Sequence, residues 1–151
     1  MKRAKVRRGK AKKAKAPTPH WHYQLAVRIE AQDAESARAA YEACLRGDCS
    51  HLEARINLGR LLHLQGQLQE AESVYREVSH PSAVLHFNLG VLMEDLEREQ
   101  DALEAYRKAT IHDPGMADAH FNLSLMYQRS GEAQAAFRHL LAYRRLRQHS
   151  E

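Results

Sequence analysis

The chain has 151 residues, 44% of them hydrophobic, with 23 Lys or Arg against 19 Asp or Glu and a formal net charge of +4. No apolar run approaches the ~18 residues of a membrane span and the N-terminus lacks the apolar core of a secretory signal, so a cytoplasmic location is expected. Two cysteines, Cys44 and Cys49, are too few for a disulfide framework and lack zinc-finger spacing.

The first 16 residues carry Lys2, Arg3, Lys5, Arg7, Arg8, Lys10, Lys12, Lys13 and Lys15 with no acidic residue among them. Without those nine cations, 14 Lys or Arg face 19 acidic residues, so a tail at +9 precedes a body at about −5. Such a segment cannot bury enough apolar surface to order itself, and residues 1–16 are expected to form a disordered basic tail. Pro17-Thr18-Pro19 separates it from the rest. Three roles fit the tail: a non-specific grip on nucleic acid, attraction to an anionic membrane surface, or a solubilising segment lying on the acidic body. Val6 is its one bulky apolar residue, which weakens the membrane role, and no aromatic is interleaved to stack on bases.

His20-Trp21-His22 follows. Two histidines at i, i+2 meet a metal only in extended backbone, and no third ligand stands nearby. Beyond it, one apolar trio recurs at i, i+4, i+7: Ala37, Tyr41, Cys44; Ala71, Tyr75, Val78; Ala102, Tyr106, Ala109; Ala136, Leu140, Tyr143. That spacing puts each trio on one stripe of a helix, with Ala where two helix axes approach and a large side chain one turn on. Upstream of three trios stand Leu58-Gly59, Leu89-Gly90 and Leu123-Ser124, a large residue beside a minimal one. Gly66 and Gly131 suit left-handed helix ends between the two helices, whereas the third unit has Glu97 there. Asp113-Pro114-Gly115 parts the last two units, since Pro114 cannot continue a helix interior.

These marks belong to an internal repeat. Sliding the sequence by 34 positions lays His86-Phe87-Asn88-Leu89 on His120-Phe121-Asn122-Leu123, and a shift of 31 lays Asn57-Leu58-Gly59 on Asn88-Leu89-Gly90. A period near 34 is the signature of stacked helix–turn–helix units, and the pattern resembles the tetratricopeptide repeat (TPR) family. The resemblance implies an all-α fold, a right-handed superhelical solenoid over residues 17–151. Its units run about 18–51, 52–82, 83–116 and 117–150. Gln24 and Arg28 weaken the first unit, and Pro81 closes the second three residues early. Trp21 falls where the family often carries Trp, which implies a packing role in the first unit. The run HFNLSLMYQRSGEAQAAFRHLLAYRRL also resembles the TPR arrays behind MerR-like domains of bacterial regulators, although no helix-turn-helix precedes it here. The arginines after Tyr143 give the last face a polar character suited to a cap; failing that, the stripe would pair with a second copy or another domain.

In TPR proteins the first helices line a concave groove where partners bind. Carried onto this sequence, the groove holds Asn57, Asn88 and Asn122, whose amides suit a peptide backbone or helix–helix bonding. Beside them stand Ile56, Phe87 and Phe121, then Arg60, Val91 and Leu125, an apolar strip with one cation; His63, Glu94 and Gln128 follow. Such a strip suits an amphipathic helix or apolar peptide. Arg60 alone does not make the family's clamp for a terminal carboxylate. The ten histidines scatter, and no nucleophile is paired with a base. The expected function is a non-enzymatic adaptor that binds a protein or peptide in the groove, without metal or cofactor. A nucleic-acid-associated regulator using the tail is the alternative.

Overall fold

The structure, a computed structural model, describes residues 16–78 and 80–148. The nine tail cations, Lys2 to Lys15, therefore lie outside the described residues. Among the described residues the chain forms eight helices and no strand: α1 Pro19–Ile29, α2 Ala34–Gly47, α3 Leu52–Leu64, α4 Leu68–Arg76, α5 Ala83–Asp95, α6 Glu99–His112, α7 Ala117–Arg129 and α8 Ala133–Gln148. They pack as four pairs, α1 with α2 through α7 with α8, and each second helix also meets the first helix of the next pair. The product is a solenoid.

Local chemistry sets the helix ends. Thr18, Asp33, His51 and Ser82 each accept a hydrogen bond from a backbone N–H of the turn they open. Pro17-Thr18-Pro19 is thus less a spacer than a helix start, with Pro19 in the first turn, where its missing N–H costs nothing. At the turns inside the pairs, Gly66 and Gly131 take φ of +77° and +80°. Glu97 takes the same left-handed shape at φ +57°. Each of the three turns closes with the same bond, from the N–H of Gln67, Arg98 or Glu132 to the carbonyl five residues back, at 2.8–2.9 Å. The third turn keeps its geometry without glycine.

The interior follows the alanine–tyrosine stripe. Ala37, Ala71 and Ala102 are fully buried, as are Tyr41, Tyr75 and Tyr106 one turn on. Gly90 lets the Tyr106 ring lie against α5, since a Cβ there would meet its Cε1 at 2.6 Å; Gly59 serves Tyr75 in the same way, more tightly still. Burying one such large side chain contributes roughly 1.5–3 kcal/mol, so the stripe accounts for much of the stacking energy.

Three expectations are corrected. Trp21 does not pack the first unit: α1 begins at Pro19, which turns Trp21 outward, 45% exposed, while Tyr23 packs against Tyr41 and His51. In α8 the stripe of Ala136, Leu140 and Tyr143 is only half-buried, because no further pair covers it among the described residues. The arginines do not cap this face, for Phe137 and Leu141 stand exposed on the same helix. The short second unit also has a structural consequence. Helix α4 spans 9 residues where α2 and α6 span 14, and a cleft of about 320 Å³ opens beside its end between Val78, Pro81, Leu85, His86, Leu89 and Ala105.

Candidate functional site

The apolar strip of the first helices is not uniformly open. Ile56, Phe87 and Val91 are half-buried and pack on the core, with the Phe87 ring 5.7 Å from that of Tyr106. Phe121 and Leu125 are each 38% exposed. The contrast has a simple cause: the face of α3 or α5 is followed by another pair, and among the described residues none follows α7 and α8. Phe121, Leu125, Gln128, Ala136, Phe137 and Leu140 border a mainly apolar cleft of about 340 Å³ between α7 and α8. Tyr143 flanks it, its ring 5.0 Å from Phe121. Phe137, 60% exposed, escaped the sequence reading because it sits one residue off the stripe.

Beneath the strip lies a polar relay that spacing alone does not reveal. The Tyr41 hydroxyl donates to Glu30 at 2.6 Å and accepts from the Asn57 amide at 3.2 Å, while Arg60 holds the other oxygen of Glu30. The third pair repeats this arrangement. Tyr106 donates to Glu94 at 2.7 Å, Arg129 donates to that glutamate at 2.6 Å, and the Asn122 amide acts on the tyrosine. Arg60 is therefore not a free cation at the end of the strip. Burial first, and then the carboxylate each one serves, push both tyrosine hydroxyls well above their ordinary range. Exposed ion pairs of this kind contribute about 0–1 kcal/mol each, so they fix the stagger between pairs more than they stabilise it.

The middle step differs. His63 takes the place of the glutamate and meets Asp95 at 2.6 Å, so the acid now stands on the later helix. Tyr75 is left with no hydrogen-bond partner for its buried hydroxyl, and Asn88 makes no side-chain hydrogen bond among the described residues. Of the three asparagines, then, Asn57 bonds a tyrosine of the preceding pair, Asn122 acts on one, and Asn88 is unengaged among the described residues.

Among the described residues no group of three His, Cys, Asp or Glu side chains is placed to hold a metal, and no helix is long and apolar enough to cross a membrane. His120 and His139 face each other, ring nitrogens 2.9 Å apart, beside Tyr127. His86 stacks on His112. Burial holds His86 and His139 below the usual imidazole range, and the neighbouring histidine of each adds to the effect.

Comparison with known proteins sets this geometry in context. No curated protein matches the sequence. Among solved structures, the fold is similar to that of PilF from Pseudomonas aeruginosa, with a TM-score of 0.81 at 18% identity, covering 85% of this chain and 61% of that one. MamA from Desulfovibrio magneticus RS-1 superposes with a TM-score of 0.74 at 22% identity over 89% of this chain and 78% of its own. YrrB, described as a TPR protein with an unusual peptide-binding site, gives 0.71 at 19% identity over 83% and 66%. The chain spans about three fifths of the PilF chain it matches. A family profile described as tetratricopeptide repeat matches residues 27–84 and 85–151, most of the sequence. The chain belongs to the tetratricopeptide repeat family, an all-α solenoid fold that serves as a protein-interaction scaffold.

Proposed function

We propose that the protein is a non-enzymatic adaptor that takes an amphipathic segment of a partner protein along its first-helix groove, anchored in the cleft between α7 and α8. One observation carries this reading: Phe121, Leu125 and Phe137 stand exposed around one apolar cleft of about 340 Å³, where earlier steps of the solenoid have the next pair. Asn88, unengaged among the described residues, is the amide left to meet the partner's backbone; Asn57 has one bond to a tyrosine, Asn122 acts on another, and both have further capacity. Ile56, Phe87 and Val91 supply the shallow apolar wall, and Arg60, held by Glu30, its polar rim. The cytoplasm is the setting this reading assumes.

A displayed library of peptides selected against the full chain tests it. Enriched peptides are expected to place apolar residues at i, i+3 or i+4 and to lose binding to the variant Phe121→Glu with Phe137→Glu. Phe137 is 60% exposed and Phe121 38%, so the melting temperature of the variant is measured beside its binding to separate lost contact from lost fold. Selected peptides that bind the variant as well as the parent would contradict the reading.

The second reading rests on the nine cations of residues 1–16, a charge of +9 without an acidic residue. Here the tail holds DNA or RNA through its phosphates while the solenoid recruits a partner. Deleting residues 1–16 should then abolish binding to a random-sequence duplex, and affinity should fall steeply with added salt. Salt-insensitive binding that survives the deletion excludes it.

A further inference from the structure

The outer seam of the solenoid, along the second helices, changes chemistry toward its end. One residue after each stripe alanine stand Arg38, Glu72, Leu103 and Phe137. In the first two steps this side chain bridges to the next pair. Arg38 donates to Glu70 of α4 at 2.9 Å, and Glu72 accepts from Arg98, which opens α6, at 2.9 Å. Leu103 is half-buried against the core. Phe137 is 60% exposed, and Leu141 one turn on is 42% exposed. Among the described residues no pair follows α8 to cover them. Charge also sets this helix apart. It carries Arg138, Arg144, Arg145 and Arg147, all exposed, and no acidic residue from Ala133 to Gln148. Earlier in the chain Arg38, Arg60, Arg98 and Arg129 each meet a carboxylate, whereas none of the four on α8 does among the described residues. The attraction of a helix C-terminus for cations covers Arg145 and Arg147 in the last turn, and it does not reach Arg138 and Arg144. Helical spacing lines up Phe137, Leu141 and Arg144 at i, i+4 and i+7, with Arg138 and Arg145 along one flank.

We propose that the outer face of α8 docks an amphipathic helix of a partner protein whose apolar stripe is bordered by Asp and Glu. Phe137 and Leu141 take the stripe, and Arg138, Arg144 and Arg145 meet the acids. The surface shares Phe137 with the groove reading above and needs neither Phe121 nor Leu125. Two observations choose this occupant. The first two steps close the same seam helix on helix, with a charged pair across it, so a helix is the shape this position meets elsewhere in the chain. A second copy offering the same face is disfavoured, because two α8 helices side by side set four arginines against four with no carboxylate between them. The apolar pair supplies the buried area of the contact. The arginines at its border orient the partner and reject basic helices.

Three alanine-based peptides of about 20 residues, long enough to hold a helix, test this chemistry. The first has leucines at i, i+4 and i+7 bordered by glutamates. The second has lysines in place of the glutamates, and the third keeps the glutamates with serines for the leucines. Each is titrated into the full ¹⁵N-labelled chain near physiological salt while the backbone amides of Phe137, Leu141 and Ala142 are followed. The first peptide is expected to shift them saturably, and the other two are not. Arg138→Glu with Arg145→Glu should weaken the first peptide about tenfold and bring the lysine peptide onto the same amides. Circular dichroism checks the fold of that variant. Arg138→Gln with Arg145→Gln, which adds no acid near the helix end, should weaken the first peptide about threefold. The proposal is overturned by shifts confined to residues 1–16, by an equal response to the serine peptide, or by an unchanged preference in the charge-reversed variant. Phosphatidylglycerol vesicles that shift these amides while the first peptide does not would assign the face to a membrane surface. A dimer in sedimentation that the charge reversal dissociates would assign it to a second copy; either result overturns the proposal. If the acidic peptide fails while the library-selected peptides still depend on Phe121 and Phe137, the groove reading stands alone. If the acidic peptide docks while the library yields no peptide that depends on Phe121, the outer face stands without the groove.

Discussion

At Glu97 a side chain stands where the other two turns have glycine, with φ at +57°. The left-handed region costs an ordinary residue roughly 1–2 kcal/mol. Glycine would recover that, less the extra freedom it gives the unfolded chain. Glu97→Gly is therefore expected to stabilise by about 0.5–1 kcal/mol, a rise of about 1–4 °C in melting temperature for a chain of this size. A fall in thermal denaturation would show that the exposed glutamate makes a contact worth more than the strain. Two half-buried histidines give a second residue-scale prediction. His86 and His139 bind a proton less readily folded than unfolded, since burial and then a histidine neighbour disfavour the charged form. The unfolded chain thus holds more protons just below the ordinary value of 6.5. Stability from these groups is complete above that value and is lost as pH falls toward their folded values. Melting temperature should drop as pH falls below the ordinary value of 6.5, and the double substitution His86→Gln with His139→Gln should flatten the slope. A slope left unchanged would assign it to other groups.

The elements were legible in sequence to the extent that their signals are local. The alanine–tyrosine stripes at i, i+4, i+7 mark buried faces in the first three pairs, and Gly66 and Gly131 mark turns that the structure builds as helix ends. Trp21 misled, because a family position says nothing of where α1 begins, and Pro19 starts the helix so that Tyr23 takes the inside. The fourth stripe misled for a different reason: the same residues are buried only when another pair follows. The candidate site was legible in part. Spacing brought Asn57, Asn88 and Asn122 to one repeat position, but only the stacked structure shows that two of them face tyrosines of the preceding pair. Helix α4 supplies the prediction at this scale. At 9 residues it is the shortest of the eight, and it borders a cleft of about 320 Å³. Its amides should exchange hydrogen faster than those of α2 and α6 under native conditions, because fewer packed neighbours hold it closed. Equal protection across the three helices would mean that the array opens only as a whole.

Across the whole molecule the two ends differ. The first pair exposes Trp21 and Val27 on α1 beside the polar Gln24 and Arg28, whereas the last gathers Phe121, Leu125 and Phe137 around one apolar cleft. Stacked repeats are stabilised chiefly by nearest neighbours, so a pair left uncovered among the described residues keeps apolar surface that a further pair or a partner can bury. On the proposed reading this asymmetry gives the groove a direction, with its apolar anchor toward the C-terminal end and Asn88 nearer the middle. The most direct measurement is a map of amide and methyl shifts on the full chain as a library-selected peptide is titrated in. The account predicts that the largest changes fall on α7 and α8 around Leu125, Ala136 and Leu140, and extend to Asn88. Changes confined to residues 1–16, or to the outer faces of α2 and α6, would contradict it.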